Sequence, residues 1–163
     1  MMENMNCQGC SSKRPMDIAL RYLTSRARTV REVELYLDER QFDEIAVQEV
    51  VDRLIELGLL SDTRFAQEFV ASRLRTKPIS RASLGRQLKE HFVPRELIDS
   101  ALAEISPETE RENCALILEK YWRQLERLPK EERAERVKQR AISRGFAYED
   151  IAAGLEQLIT NSE

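Results

Sequence analysis

A short pattern recurs three times along this chain of 163 residues and constrains its fold more than any other feature. The pattern is a phenylalanine, four intervening residues and an aliphatic residue, and it begins at Phe42, Phe92 and Phe146. A self-similar period of about 50 residues is typical of stacked helical units that bury their faces against their neighbours. The pattern therefore predicts three repeats, in which each phenylalanine fills the small core of its own unit.

Helix start and stop signals divide each repeat into three helices. Thr29 and Glu32 have the spacing of a capping box, Ser80 can cap a helix, Ser106 precedes a proline, and Gly58 and Gly145 follow apolar helical patterns. Helical spacing also predicts the buried faces of the third helices of the first and last repeats, which are Val47, Val50, Val51 and Leu54, and Ile151, Leu155, Leu158 and Ile159. No stretch alternates with period two, so no sheet is predicted. The sequence predicts an all-α fold of three tandem three-helix repeats, related to the helix-turn-helix, that form an elongated, curved rod. The predicted repeats cover residues 15–60, 61–105 and 106–163.

The first residues of the chain differ from the rest in composition. Residues 1–14 are rich in Asn, Ser and Gly and predict a disordered tail. Cys7 and Cys10 have the spacing of a metal site, which His91 and Cys114 would complete only if the tail folded back. We expect an incidental pair, with no metal and no cofactor. Three cysteines, an odd number, indicate reduced thiols and a cytoplasmic location, and no apolar run approaches the length of a membrane span.

Positive charge is concentrated in parts of a chain whose net charge is −3. The segment between Glu68 and Glu90 contains no acidic residue, and 133–144 is also mostly basic. Such runs are either solvated faces or binding surfaces for phosphates and acidic proteins. If the repeats stack in register, one side of the rod is basic and another acidic. The residues predicted to form such a binding surface, for DNA phosphates or an acidic protein, are Arg26, Arg28, Arg31, Arg73, Arg75, Lys77, Arg81, Arg86 and Lys89.

The sequence lacks the motifs that would indicate an enzyme. It has no Walker-type phosphate loop, no nucleophile elbow and no HExxH motif. Its single histidine, His91, is predicted to be a partly buried structural residue. We therefore expect a binding protein. A sequence-specific helix-turn-helix regulator is disfavoured because the third helices carry mostly acids, such as Glu44 and Asp52, which DNA phosphates would repel.

One segment resembles a known family. Leu59-Leu60-Ser61-Asp62-Thr63-Arg64-Phe65-Ala66, followed by Phe69-Val70 and Arg73, is similar to the LLDD-x-RFA…FV…R motif of the RecX family of recombination regulators. The sequence departs from the family where Gln41 and His91 stand at positions that usually hold glycine, where Pro78 replaces another glycine, and where Ser61 replaces one of the two motif acids. The motif residues interpreted as mainly structural are Leu60, Asp62, Arg64, Phe65, Ala66 and Phe69.

The resemblance implies a function for the chain. It implies binding within the helical groove of the RecA recombinase filament and inhibition of ATP hydrolysis, strand exchange and co-protease stimulation of the SOS repressor. The partners it implies are the RecA filament and single- or double-stranded DNA through phosphate contacts, with this protein acting as a monomer. Two alternatives remain: a direct DNA-binding helix-turn-helix regulator, and a helical adaptor for another protein.

Overall fold

The computed structural model describes residues 14–161, and these residues form nine α-helices and no strand. The predicted all-α plan of three-helix repeats is confirmed. The predicted tail, with Cys7 and Cys10, lies outside the described residues apart from its last position, Arg14. The helices are α1 Pro15–Ser25, α2 Val30–Asp38, α3 Glu44–Glu56, α4 Asp62–Thr76, α5 Arg81–Glu90, α6 Arg95–Ala103, α7 Pro107–Gln124, α8 Lys130–Ser143 and α9 Tyr148–Thr160.

The chain divides into two compact units, Met1–Ser61 and Asp62–Glu163. The first unit contains α1 to α3, and its core includes the fully buried Leu37 and Leu54. The second unit contains α4 to α9 and has two hydrophobic clusters, one for each three-helix repeat. The cluster of α4 to α6 includes Phe65, Leu84, Leu88 and Ile98, and that of α7 to α9 includes Leu118, Trp122, Val137 and Ile151.

Side-chain caps begin the helices where the sequence predicts them. The backbone N–H of Glu32 donates to Thr29 Oγ1 over 3.3 Å, and the N–H of Thr29 donates to Glu32 Oε2 over 3.0 Å. Ser80 Oγ accepts from the N–H of Ser83, and Ser106 Oγ accepts from the N–H of Thr109, each over 3.1 Å. These bonds satisfy donors that have no partner within a helix, so the starts of α2, α5 and α7 are fixed locally.

The turn of the second repeat corrects the predicted register. Phe42 packs against the core of the first unit and Phe146 is buried, but 52% of Phe92 is exposed. Val93, one residue later, is only 5% exposed and belongs to the core cluster of its repeat. The prediction that each turn phenylalanine fills its own core is therefore wrong for Phe92.

Backbone geometry explains the shift of register. In the turns before the third helices, the residues with positive φ are Gln41, Phe92 and Gly145, so Phe92, rather than His91, holds the position of the third repeat's glycine. The residue after a left-handed helix end commonly turns back onto the helix that it follows. Accordingly, the N–H of Val93 donates to Leu88 O over 3.1 Å, as the N–H of Phe146 donates to an α8 carbonyl.

Polar contacts join the second and third repeats within one unit. Ser80 Oγ donates to the backbone carbonyl of Arg144 over 2.6 Å. The buried Asn113 donates from Nδ2 to the carbonyl of Ile79 over 3.2 Å. Gly145 lies so close to the start of α5 that a Cβ added there would be 2.9 Å from Ala82 Cβ. These contacts explain why the two repeats form a single compact unit.

Candidate functional site

The predicted basic residues of the second repeat lie on the end of α4, in the following loop and along α5. Arg73 and Arg75 occupy the last turn of α4, where cations interact favourably with the negative end of the helix dipole. Lys77 precedes Pro78, which follows the end of α4. The remaining three, on α5, are Arg81, Arg86 and Lys89.

None of these six cations forms an ion pair with a carboxylate in the described part of the chain, whereas several cations in other helices do. Elsewhere, arginines pair with acids three or four residues away, as in Arg111–Glu108 at 2.7 Å and Arg136–Glu132 at 2.8 Å. The acid-free run contains no such acid, and Glu90, which ends α5 four residues after Arg86, forms no ion pair with it. The exposed side chains among them, Arg75, Lys77, Arg86 and Lys89, can therefore donate to external anions.

Two of the arginines are held in defined positions. The guanidinium of Arg73 lies 4.9 Å from the centre of the Phe69 ring. The Nε of Arg81 is buried and has no hydrogen-bond acceptor among the described residues. The backbone N–H of Arg81 donates to both carboxylate oxygens of Glu110, over 3.1 and 3.2 Å. Arg81 thus lies beside the contacts that join the second and third repeats.

The Glu110 carboxylate at this position is partly desolvated. Burial raises the pKa of Glu110 above its ordinary value, and the charge of Asp150 raises it further. The hydrogen bond from the Arg81 backbone and the charge of Arg81 act in the opposite direction but do not cancel the effect of burial.

The predicted basic residues of the first repeat have different surroundings. Arg26 is exposed, whereas the Arg28 guanidinium lies 4.0 Å from the centre of the Tyr22 ring. Arg31 forms an ion pair with Glu34 at 2.9 Å, so its charge is already matched by a carboxylate. Tyr22 also stacks on Tyr36, with ring centres 3.7 Å apart. Of these three arginines, Arg26 and Arg28 are the two whose charge is not matched by a carboxylate in an ion pair among the described residues.

Most of the family motif residues pack in the hydrophobic interior or against other aromatic rings, as expected for residues that stabilise the fold. Leu60, Phe65 and Ala66 are buried in the hydrophobic clusters of their own units. Phe69 is half-buried, and the His91 ring lies 5.3 Å from Phe65 and 5.4 Å from Phe69. The other two motif residues, Asp62 and Arg64, lie in the first turn of α4.

A groove that the sequence analysis did not identify lies between α5 and α6 and has a volume of about 670 Å³. Charged side chains along it are Arg81, Lys89, Arg95 and Asp99. The spacing of Arg81, Gly85 and Lys89 puts the three on one face of α5 and was the only sequence signal for the groove. The remaining lining residues are Ala82, Gly85, Val93, Ile98, Leu102 and Ala103.

Metal binding, thiol chemistry and membrane insertion are not supported by the described residues. No group of His, Cys, Asp and Glu within 14–161 is arranged to hold a metal ion. Cys114 is buried, and burial raises the pKa of its thiol to about 12, so the reactive thiolate does not form near neutral pH. In the same part of the chain, every helix is too short or too polar to cross a bilayer.

Comparisons with known proteins identify the family. The chain matches the RecX first three-helix domain over residues 16–54 and the RecX second three-helix domain over 61–102. It is 32% identical over 144 residues to the regulatory protein RecX of Streptomyces coelicolor, covering 86% of this chain and 77% of that protein. It is 28% identical over 155 residues to the RecX of Prosthecochloris aestuarii, covering 92% and 97%.

A solved structure agrees with this assignment. The crystal structure of RecX from Lactobacillus salivarius superposes with a TM-score of 0.80 at 23% identity, covering 88% of this chain and 94% of that one. At that identity the likeness concerns the fold alone, whereas the match to the Streptomyces coelicolor protein extends over most of both sequences. This chain therefore belongs to the RecX family of regulatory proteins.

Proposed function

We propose that this protein binds the RecA recombinase filament and inhibits its ATP hydrolysis, strand exchange and co-protease activity. It acts as a non-enzymatic modulator of recombinational repair and of the SOS response. The proposal is supported by membership of a family of regulatory proteins. The observation that carries it further is the group of six cations on α4, α5 and the loop between them, none of which forms an ion pair with a carboxylate among the described residues.

Unpaired guanidinium and ammonium groups bind phosphates and carboxylates. A recombinase filament on DNA presents both, as nucleic-acid phosphates and as acidic protein side chains. Contacts made by separate repeats would add through effective concentration, so several modest interactions could give firm binding. The elongated, curved rod expected from the repeats, with Arg26, Arg28 and Arg31 as additional contacts, stays a prediction. So do the monomeric state and the cytoplasmic location.

Charge reversal on α4 and α5 tests this proposal directly. Arg75, Lys77 and Arg86 are exposed and make no ion pair within the described residues, so changing all three to Glu should leave the fold intact. The assay is ATP hydrolysis by the recombinase on single-stranded DNA across a concentration series of this protein. We expect the triple variant to require at least about tenfold more protein for half-maximal inhibition, since charge complementarity is replaced by repulsion.

A matched control changes the same amount of charge elsewhere. Lys120, Arg123 and Arg127 are exposed on α7 or just after it, and changing them to Glu should leave inhibition unaltered. Circular dichroism of both triple variants establishes that helicity is retained. The proposal is wrong if the wild-type protein does not inhibit hydrolysis. Equal inhibition by the α4–α5 variant and the wild type would exclude these cations from the site.

Direct binding to DNA is the second candidate, because the same cations could contact phosphates without any recombinase. It is less favoured because acids are frequent on the third helices, including Glu49 and Asp52 of α3 and Asp99 of α6. A sequence-selective footprint by this protein alone would favour a DNA-binding regulator. Affinity purification that recovers another protein and never recombinase would favour the helical adaptor instead.

A further inference from the structure

We propose that the groove between α5 and α6 binds an acidic, amphipathic segment of the recombinase polypeptide. The inference rests on the proposed function for the identity of the partner. The acidic and amphipathic character of the bound segment, however, follows from the residues that line the groove. Its lining combines an apolar floor with an excess of positive charge along the edges, and the exposed Phe92 directly precedes the lining residue Val93 in the chain.

The floor of the groove consists of aliphatic side chains from α6 and the turn before it. Val93 and Ile98 form part of the core, and Leu102 lies beside them. A Cβ added to Gly85 would lie 3.3 Å from Leu102 Cδ1, so the absence of a side chain there brings the backbone of α5 close to α6. None of the lining residues is aromatic, and stacking on aromatic rings is how unpaired bases are usually held. The floor therefore suits aliphatic side chains of a peptide better than bases.

The edges of the groove carry a net positive charge. Arg81 and Lys89 line it from α5, and neither forms an ion pair among the described residues. Arg95 lines it from α6 and lies 3.6 Å from Asp99, but both side chains of this pair are largely exposed. Such a pair contributes little to stability and is readily rearranged. A partner that inserts apolar side chains and places carboxylates along both edges would match this distribution.

Phe92 adds an observation that the fold does not explain. It is 52% exposed and adopts a φ of 59°, which is unfavourable for a large side chain. The corresponding left-handed residues in the other repeats are Gln41 and Gly145. Phe92 directly precedes Val93, which lines the groove. An unfavourable backbone conformation that exposes an aromatic residue is typical of contact sites, so we assign Phe92 as an anchor at the end of the groove.

The test uses the full-length protein and overlapping recombinase peptides of about 15 residues, a length that accommodates an amphipathic helix. Binding of each labelled peptide is measured by fluorescence anisotropy. We expect the wild-type protein to bind one or a few acidic peptides that contain aliphatic residues. The double variant Lys89→Glu, Arg95→Glu should bind them at least about tenfold more weakly. The matched control, Lys120→Glu with Arg127→Glu, lies outside the groove and should bind as the wild type does.

Two uncharged substitutions at the groove, together with one control on α7, separate docking from general electrostatic attraction. Ala103 is exposed and lines the groove, so Ala103→Trp should obstruct it, whereas Ala115→Trp on the exposed face of α7 should not. Phe92→Gly should weaken peptide binding without lowering the melting temperature, because glycine adopts positive φ freely. A purely structural role for Phe92 would give the opposite result, a lower melting temperature with unchanged binding.

The groove inference fails if no acidic peptide binds the wild-type protein, or if the groove variants bind peptides as the wild type does. It also fails if these variants lose affinity only for a single-stranded oligonucleotide tested in parallel. Inhibition of recombinase ATP hydrolysis by the wild-type protein is measured separately. Inhibition without peptide binding would overturn the groove while leaving the proposed function intact. Peptide binding without inhibition would overturn the proposed function but retain the groove as a site for acidic peptides.

Discussion

The second and third repeats share a three-helix plan and similar positive charge, but their cations have different neighbours. In the third repeat, the guanidinium of Arg133 donates from Nε to the carbonyl of Trp122 over 2.7 Å and lies over its indole ring. Lys138 lies 3.7 Å from Glu135, and Arg140 lies over the ring of Tyr121. In the second repeat, Arg73, Arg75, Lys77, Arg81, Arg86 and Lys89 form no ion pair with a carboxylate among residues 14–161.

The difference shows that charge density along a sequence does not measure the charge that a surface offers to a partner. Acids at positions 132 and 135 lie within one helical turn of the cations they neutralise in α8. The run from Arg73 to Lys89 contains no acid, and its cations form no ion pair among the described residues, so most of its charge remains available. Two segments with a similar density of positive charge can therefore differ in role: one stabilises the fold of its repeat, and the other is free to bind a partner.

The largest expected effect concerns whether the two repeats unfold together. Phe65 is buried in the second repeat, so Phe65→Ala should reduce the free energy of unfolding by about 3–5 kcal/mol. The only tryptophan, Trp122, lies in the third repeat and reports on that repeat's unfolding. Because both repeats belong to one compact unit, urea denaturation followed by Trp122 fluorescence should show the full loss.

Circular dichroism provides the comparison for this experiment. Its transition should coincide with that of Trp122 fluorescence if the second and third repeats are cooperative. A Trp122 transition that is unaffected by Phe65→Ala would mean that the polar contacts between the repeats do not couple them.

The next effect concerns the glycine at the contact between these repeats. Gly145 has a φ of 85°, and an added Cβ would be 2.9 Å from Ala82 Cβ and 3.1 Å from Ser80 Oγ. Gly145→Ala should therefore cost about 2–4 kcal/mol, from the left-handed backbone together with overpacking. Gly58 is the control, because its φ is 68° but nothing lies within 4 Å of an added Cβ. Gly58→Ala should cost only about 1–2 kcal/mol in thermal or urea denaturation. Equal costs would show that the close approach at Gly145 is readily relieved.

A smaller effect tests the structural role of the third repeat's arginines. Arg133→Ala removes charge-assisted hydrogen bonds to the Trp122 carbonyl and should cost about 1.5–3 kcal/mol. Arg136 forms only an exposed pair with Glu132, so Arg136→Ala should cost at most about 0.5 kcal/mol. Urea denaturation followed by circular dichroism measures both. Neither change should weaken inhibition of the recombinase. A loss of inhibition would show that the arginines of the third repeat also bind the partner.

The smallest effect is a pH dependence at the contact between the repeats. Burial raises the pKa of Glu110 above 4.5, so the folded protein binds a proton more tightly at this site than the unfolded chain does. The resulting stabilisation is fully present below about pH 4.5 and is lost as the pH rises through the folded-state pKa. Glu110→Gln cannot titrate, and its amide oxygen can still accept from the Arg81 N–H.

The measurement is the difference in free energy of unfolding between wild type and Glu110→Gln at several pH values. At pH 7 the two should differ by no more than about 1 kcal/mol. As the pH falls toward 4.5, the wild-type protein should gain stability relative to the variant. A difference that does not change with pH would show that Glu110 has no raised pKa in the folded protein.

Local features were well predicted because their causes are local. The capping box of Thr29 and Glu32, the caps at Ser80 and Ser106 and the helix end at Gly58 each depend on residues a few positions apart. The aliphatic faces of α3 and α9 followed from helical periodicity in the same way. Family membership was equally accessible, since the motif around Phe65 is contiguous in the chain.

The register of the second turn could not be obtained in this way. Phe92 and Leu97 match the repeating pattern by spacing, but the structure places Val93 and Ile98 at the equivalent buried positions. The choice depends on which residue adopts the left-handed conformation, and a phenylalanine there runs against its own preference. No spacing rule detects such an exception.

The sequence by itself determined that this chain forms helices in sets of three, where most of those helices begin and end, and to which family it belongs. Those properties follow from interactions among neighbouring residues and from contiguous motifs. The tertiary structure decided which cations are satisfied by the fold, how Ser80, Glu110 and Asn113 join two repeats, and where α5 and α6 leave a groove. Those features depend on side chains that are distant in sequence and come within hydrogen-bonding or packing distance only when the helices assemble.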